Sequence, residues 1–284
     1  MRTKAIVALG LALSLLLGVT VAVGNGSAAV QSQDWGKKSG HPGEGELDWT
    51  TGVIQSTGIG VINPKAVNVG QARAGCVMAA TRYAQRNLLE MVQGVNIDSQ
   101  TTVENFMTTS DVIRTNVSGV LRGAYPIGEP VYKADGSCEV TYAMKVSGAL
   151  ANAILPPSGF GGQQNAVPAG PQKKYSGLII DATGLGAVPA MAPKILDPDG
   201  KEVYGSAFIS RDYAVEQGVV GYAKNVDQAK QNERVGGSPL IVRGVKVSGA
   251  KSADVIISKD DAAKLQDSNL DLGFLKECRV IIVL

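Results

Sequence analysis

Leu155 to Lys174 reads LPPSGFGGQQNAVPAGPQKK. Proline removes backbone donors and glycine adds chain entropy, so this stretch can hold neither a helix nor a central strand. It divides the chain into two foldable runs. Residues 52–150 are expected to form one domain, residues 151–174 a Pro/Gly-rich linker, and residues 175–284 a second, strand-rich domain. The 284 residues are 44% hydrophobic and 18% charged, enough apolar surface for a core and too much for wholesale disorder. With 35 glycines and only 5% aromatic residues, the composition suits short elements and many turns.

Ahead of these runs, Arg2 and Lys4 precede an uncharged apolar segment from Ala5 to Val23. Small residues follow from Gly24 to Ala29. This is the pattern of an export signal, expected over residues 1–29 with cleavage after Ala29. An uncleaved anchor is the alternative, since the apolar run approaches the ~20 residues that span a bilayer. The first cysteine is Cys76, so no lipidation Cys stands beside the run. Loss of residues 1–29 takes away two of the 27 basic residues and none of the 25 acidic ones, which leaves the charges balanced. Bulk charge therefore favours neither nucleic acid nor anionic lipid. Residues 30–51, polar and rich in Gly, read as a flexible leader.

In the first domain, Gly52 to Ile62 alternates as a strand that Asn63-Pro64 ends. Val77, Thr81, Ala84, Leu88 and Met91 recur at helical spacing and predict a helix over 69–92, stopped by Gly94. Arg86 and Glu90 can pair one turn apart. Thr101 and Glu104 have capping-box spacing, and Val103, Phe106, Met107, Ser110, Ile113 and Val117 form the stripe of a second helix. Val120–Tyr125 and Pro130–Lys133 read as strands, with a hairpin turn at Asp135-Gly136. Cys138, Val140, Tyr142, Met144 and Val146 alternate with Glu139, Thr141, Lys145 and Ser147, so one sheet face is buried under the helices. The fold class is α+β: two helices on an antiparallel sheet, followed by a second strand-rich α/β domain. In that second domain, strands are expected at YSGLIID, PLIVRGVKV and ADVIIS, with a hairpin around Pro198-Asp199-Gly200 and a Ser258-capped helix. CRVIIVL reads as a central strand.

Candidate chemistry is sparse. His41 is the only histidine and lies in the leader, where no imidazole can be positioned for Ser-His or Cys-His catalysis. Gly184-Leu185-Gly186 lacks the third glycine of a dinucleotide loop, and Pro189 and Pro193 oppose the helix such a loop needs. DPDGKE, Asp197 to Glu202, reads as a turn with too few oxygens for an EF-type loop, and weak calcium binding is the alternative. NIDSQTT, Asn96 to Thr102, reads as an Asx-type turn and helix cap, with a metal or sugar site as the sharper alternative. A Cys76–Cys138 disulfide is compatible with the sequence, but three buried thiols are the preferred reading. No catalytic, cofactor or metal residue is assigned.

Several stretches together resemble a known family. They are Ala72-Arg73, Ala84 to Glu90 (AQRNLLE), Gly94 to Ser99 (GVNIDS), Thr101 to Asn105 (TTVEN) and Val117 to Ala124 (VSGVLRGA), preceded by a strand. This pattern, over about residues 52–150, resembles the N-terminal domain of flagellar assembly protein T and the related twenty-kilodalton envelope lipoproteins. The resemblance implies a small α/β assembly domain without enzymatic activity, periplasmic or outer-membrane-associated. The expected function is therefore an exported, non-enzymatic envelope protein acting in assembly or scaffolding, with other envelope proteins or a second copy of itself as partner. A periplasmic ligand-binding module for a glycan, peptide or metal is the alternative, with the loop from Asp181 to Pro193 as its candidate site. A carboxylate-based hydrolase is a third, and it would need two acids ~5–10 Å apart in a deep pocket.

Overall fold

Alternating apolar residues and two strand glycines set the first sheet. A computed structural model describes residues 45–161, 173–267 and 270–284. The expected signal segment, His41 and residues 162–172 of the predicted linker lie outside the described residues. Strands β1 (Gly45–Asp48), β2 (Val53–Val61), β3 (Tyr125–Tyr132) and β4 (Ser137–Lys145) form an antiparallel sheet in the order β1-β2-β4-β3. The end of the expected leader is thus strand β1, drawn in because Leu47 is buried and Gly45 to Asp48 pair with β2. Cys138, Val140 and Met144 of β4 are buried, while Thr57 and Thr141 join hydroxyls at 2.9 Å on the other face.

Helix α1 (Val69–Gln93) lies along this sheet, started by the Asn68 side chain, which accepts from the Gln71 amide. Its buried column is Ala72, Cys76, Ala80, Ala84, Leu88 and Val92. The expected stripe shares only Ala84 and Leu88 with it. The column turned because close approach selects small residues, which apolar size does not flag. A Cβ on Gly58 would stand 1.9 Å from the Ala80 carbonyl oxygen, and one on Gly60 would stand 2.1 Å from that of Cys76. The helix backbone therefore occupies the space that strand side chains would fill. Across this seam Cys76 and Cys138 are joined in a disulfide, contrary to the preferred thiol reading, and Cys278 is free and buried. Helix and strand bring the two cysteines together, which spacing along the chain does not reveal.

The second expected helix is two, α2 (Val103–Thr109) and α3 (Asp111–Arg122). Ser110 adopts an extended conformation, and its hydroxyl accepts from the Ile113 amide while its own amide donates to Phe106. One residue thus ends α2 and caps α3. The cap of α2 is Thr102, one position after the expected Thr101, with its hydroxyl accepting from Asn105. Helix α3 runs through Arg122, so Val120 to Arg122 is helical rather than strand. Its apolar residues Val117 and Leu121 lie one turn apart and bury together.

Helix α4 (Ala149–Ile154) leads away from the first sheet and takes up the start of the predicted linker, because Leu150, Ala151, Ile154 and Leu155 are buried. The rest of the chain builds a seven-stranded mixed sheet. Its strands are β6 (Leu178–Asp181), β7 (Ile195–Leu196), β8 (Glu202–Tyr204), β9 (Gly221–Ala223), β10 (Leu240–Ser248), β11 (Asp254–Ile257) and β13 (Val280–Val283), ordered β8-β7-β11-β10-β6-β13-β9. Strands β5 (Lys173–Lys174) and β12 (Leu270–Asp271) form a separate parallel pair. Short helices α5 (Arg211–Gln217), α6 (Val226–Gln231), α7 (Lys259–Lys264) and α8 (Gly273–Lys276) connect the strands. As expected for CRVIIVL, β13 is central: it pairs in parallel with both β6 and β9 and is buried throughout. Each such aliphatic side chain contributes about 1.5–3 kcal/mol on burial.

All described residues fall within one compact unit. One apolar cluster runs from Leu47, Ile54 and Leu88 to Leu178, Val255 and Val280, so both sheets share it, beside two smaller ones. No helix among the described residues is long and apolar enough to cross a membrane.

Candidate functional site

The turn at Asn96 to Thr102 shows what the polar residues between the helices do. The Asp98 carboxylate accepts from the amides of Gln100 and Thr101, which closes the turn. Its outer side then docks on the seven-stranded half. The carbonyls of Asn96, Ile97 and Ser99 accept from the amides of Met191, Ala192 and Lys251. The Ser99 hydroxyl donates to the buried Asp254 carboxylate, whose other oxygen accepts from the Lys194 amide. Gly249 leaves room for this approach, since a Cβ there would stand 2.2 Å from the Ser99 Cβ. The predicted Asx turn is present, and it also fastens the two sheets together.

The loop from Asp181 to Pro193 is the other side of that contact. The Tyr222 hydroxyl of β9 accepts from the Ala190 amide at 2.9 Å and donates to the Ala190 carbonyl at 2.8 Å. Burial holds its pKa well above the ordinary tyrosine value. Ala182, Ala187, Ala190 and Met191 are buried, while Thr183, Gly184 and Gly186 are exposed. The DPDG segment is the expected hairpin turn: the Asp197 carboxylate accepts from the Asp199 and Lys201 amides, and Gly200 has φ 84°. Among the described residues no three His, Cys, Asp or Glu side chains gather as a metal site.

A cavity of about 110 Å³ lies where the two sheets meet. Trp49 stands edge-on to Tyr222 at one wall, with ring centroids 5.4 Å apart and planes at 72°. Val146, Ala151, Leu155 and Met191 supply apolar lining, and Arg234 supplies the charge. The Arg234 side chain is half-buried against Gly221, where a Cβ would stand 3.3 Å from Nη1. Its Nε donates to the Cys278 carbonyl at 2.7 Å, Nη1 to Gln217 at 2.8 Å, and Nη2 to Gly218. These partners are neutral carbonyls. No carboxylate among the described residues pairs with the guanidinium, whose electrostatic neighbours are Tyr204, Cys278 and Tyr222. Burial accordingly lowers its pKa from the ordinary arginine value. Burial also pushes the neighbouring Cys278 thiol up to about 11.

Residues 177–284 match the family model described as Treponema pallidum Tp0624, second domain. The match spans every strand of the seven-stranded sheet. No curated protein matches the chain. The Tp0624-like half contributes Met191, Tyr222 and Arg234 to the cavity, while Trp49, Val146 and Leu155 come from outside the matched residues. The match does not touch residues 52–150.

A second surface feature belongs to β3, the outer strand of the first sheet. All but one of its residues are exposed, including Tyr125, Ile127, Val131 and Tyr132 at 42–53%. Arg73 lies 5.1 Å from the centroid of the Tyr132 ring. Sequence patterning marks part of β3 as the strand Pro130–Lys133 and reaches the cavity only through the Asp181–Pro193 loop. The exposed apolar residues of β3 resemble core residues in composition, and the cavity walls come from segments scattered between Trp49 and Arg234.

Proposed function

We propose that the protein is an exported, non-enzymatic component of the cell envelope that acts in assembly or scaffolding by docking through the β3 face. The observation that carries this reading is the set of exposed side chains on one edge strand, with Tyr125, Ile127 and Val131 on one face and Tyr132 on the other. The resemblance of residues 52–150 to flagellar assembly protein T supports a flagellar or outer-membrane-associated assembly, and the apolar N-terminal segment supports a periplasmic location. The docking partner is another envelope protein or a second copy of the chain. A photo-crosslinking residue at position 127, introduced in cells, should capture a defined envelope partner or the protein itself, and Val131→Lys should abolish capture. A protein that fractionates with the cytoplasm, or that captures nothing at position 127 and sediments as a monomer, would remove the proposal.

A second reading, a ligand-binding module, is favoured by the cavity beside Arg234. It shifts the binding region away from the middle of the Asp181–Pro193 loop to the space that Ala190 and Met191 border.

A further inference from the structure

We infer that the cavity beside Arg234 binds a short monocarboxylate, free or as the end of a longer molecule, an inference that rests on the ligand-binding reading. The first argument is charge. A guanidinium is costly to bury without an anion, and carbonyl dipoles compensate it only in part. Arg234 has three carbonyl partners and no described carboxylate beside it, so two of its five N–H groups remain for a guest.

The second argument is the match between donors and lining. Two donors suit the two oxygens of a carboxylate, whereas a phosphate asks for more donors and carries more charge. The same cavity is lined by Val146, Ala151, Leu155 and Met191, which accept a short hydrocarbon stem. Tyr222 does not compete, because Ala190 occupies its hydroxyl as both donor and acceptor.

Size is the third argument. A ~150 Å³ cavity holds the six carbons of benzene, so about 110 Å³ holds four or five non-hydrogen atoms. That is the size of acetate or propionate, or of the last carboxylate and its adjoining carbons on a larger chain.

The test is calorimetric and NMR titration of the full chain, in carboxylate-free buffer, with acetate, propionate, inorganic phosphate and N-acetylglucosamine. Propionate should bind saturably, with a dissociation constant at or below about 1 mM. Arg234→Met should weaken it by at least ~10-fold. Should that variant fail to fold, Ala151→Leu fills the cavity while leaving the guanidinium, and it should abolish binding. A tripeptide with a free C-terminus that outcompetes propionate, while its amide does not bind, assigns the source to a chain end. Propionate binding that survives Ala151→Leu overturns the site. Saturable binding of phosphate or N-acetylglucosamine without propionate overturns the carboxylate assignment and keeps the ligand-binding reading. No binding in any arm overturns both.

Discussion

The Ser99 hydroxyl donates to the carboxylate of Asp254, 155 residues further along the chain and in the other sheet's layer. Both residues are buried, so neither can turn to water if the other is lost. Ser99→Ala should lower the free energy of unfolding by about 1–3 kcal/mol, because Asp254 keeps only the Lys194 amide. Urea titration of Ser99→Ala, Asp254→Ala and the double variant checks this: the double should cost less than the two singles added.

Gly58 and Gly75 should respond to the same substitution with opposite signs. Gly58→Ala drives a methyl group against the Ala80 carbonyl, and α1 must lift away from β2, a loss of about 3 kcal/mol or more. Gly75 sits on the exposed side of α1 with nothing within 4 Å of an added Cβ. Gly75→Ala should therefore stabilise by about 0.5–1 kcal/mol through helix propensity. Thermal unfolding of the pair separates a seam held by close approach from a helix insensitive to position.

The Cys76–Cys138 disulfide closes a loop with a sequence separation of 62. Chain-entropy arguments assign such a loop about 4 kcal/mol, an upper figure for measured cases. Dithiothreitol should lower the wild-type melting temperature and leave the Cys76→Ala/Cys138→Ala variant unchanged, with both then melting at similar temperatures. Equal melting of oxidised and reduced wild type would contradict the assignment.

Alkaline pH should destabilise the fold from about 9 upward. Burial raises the Cys278 thiol from 9.0 to about 11, so between these values the folded chain holds a proton that the unfolded chain has released. The unfolded state thus binds fewer protons, and stability falls as pH rises through the window, by about 2–3 kcal/mol in all. Tyr204 and Tyr222, raised in the same direction by burial, extend the decline beyond pH 10. In Cys278→Ala the decline should begin about one pH unit later, as read from urea midpoints between pH 8 and 11.

The sequence made the elements with strong periodicity legible and left the approach between them hidden. Alternation in Cys138 to Val146 located β4 and its buried face, and the apolar run Val280 to Val283 located the central strand. Helix α1 was legible in extent but not in orientation, since Gly58 and Gly60 favour Ala72, Cys76 and Ala80 over the larger Val77 and Met91. Ser110 looked like a stripe position because its hydroxyl's capping role depends on backbone angles. The three-residue strand β9 is too short to show a period, yet it carries Tyr222. For the candidate site only the Asp181–Pro193 loop was legible in advance, and it reaches the cavity through Ala190 and Met191. Arg234 lies in QNERVGG, an ordinary turn sequence, and its isolation from acids exists only once Gln217, Gly218 and Cys278 surround it.

Pro126 and Pro130 give β3 a last consequence. The Lys133 amide points inward to Ser137, so by the alternation of the ladder both prolines fall where an amide would point outward. The outer rim of the sheet is therefore missing donors at two places, and Gly128, at φ 70°, bends it between them. A neighbouring molecule can rest on the tyrosine and valine side chains, but it cannot zip on as a further strand. Crowded copies should accordingly cluster reversibly and not grow into fibres.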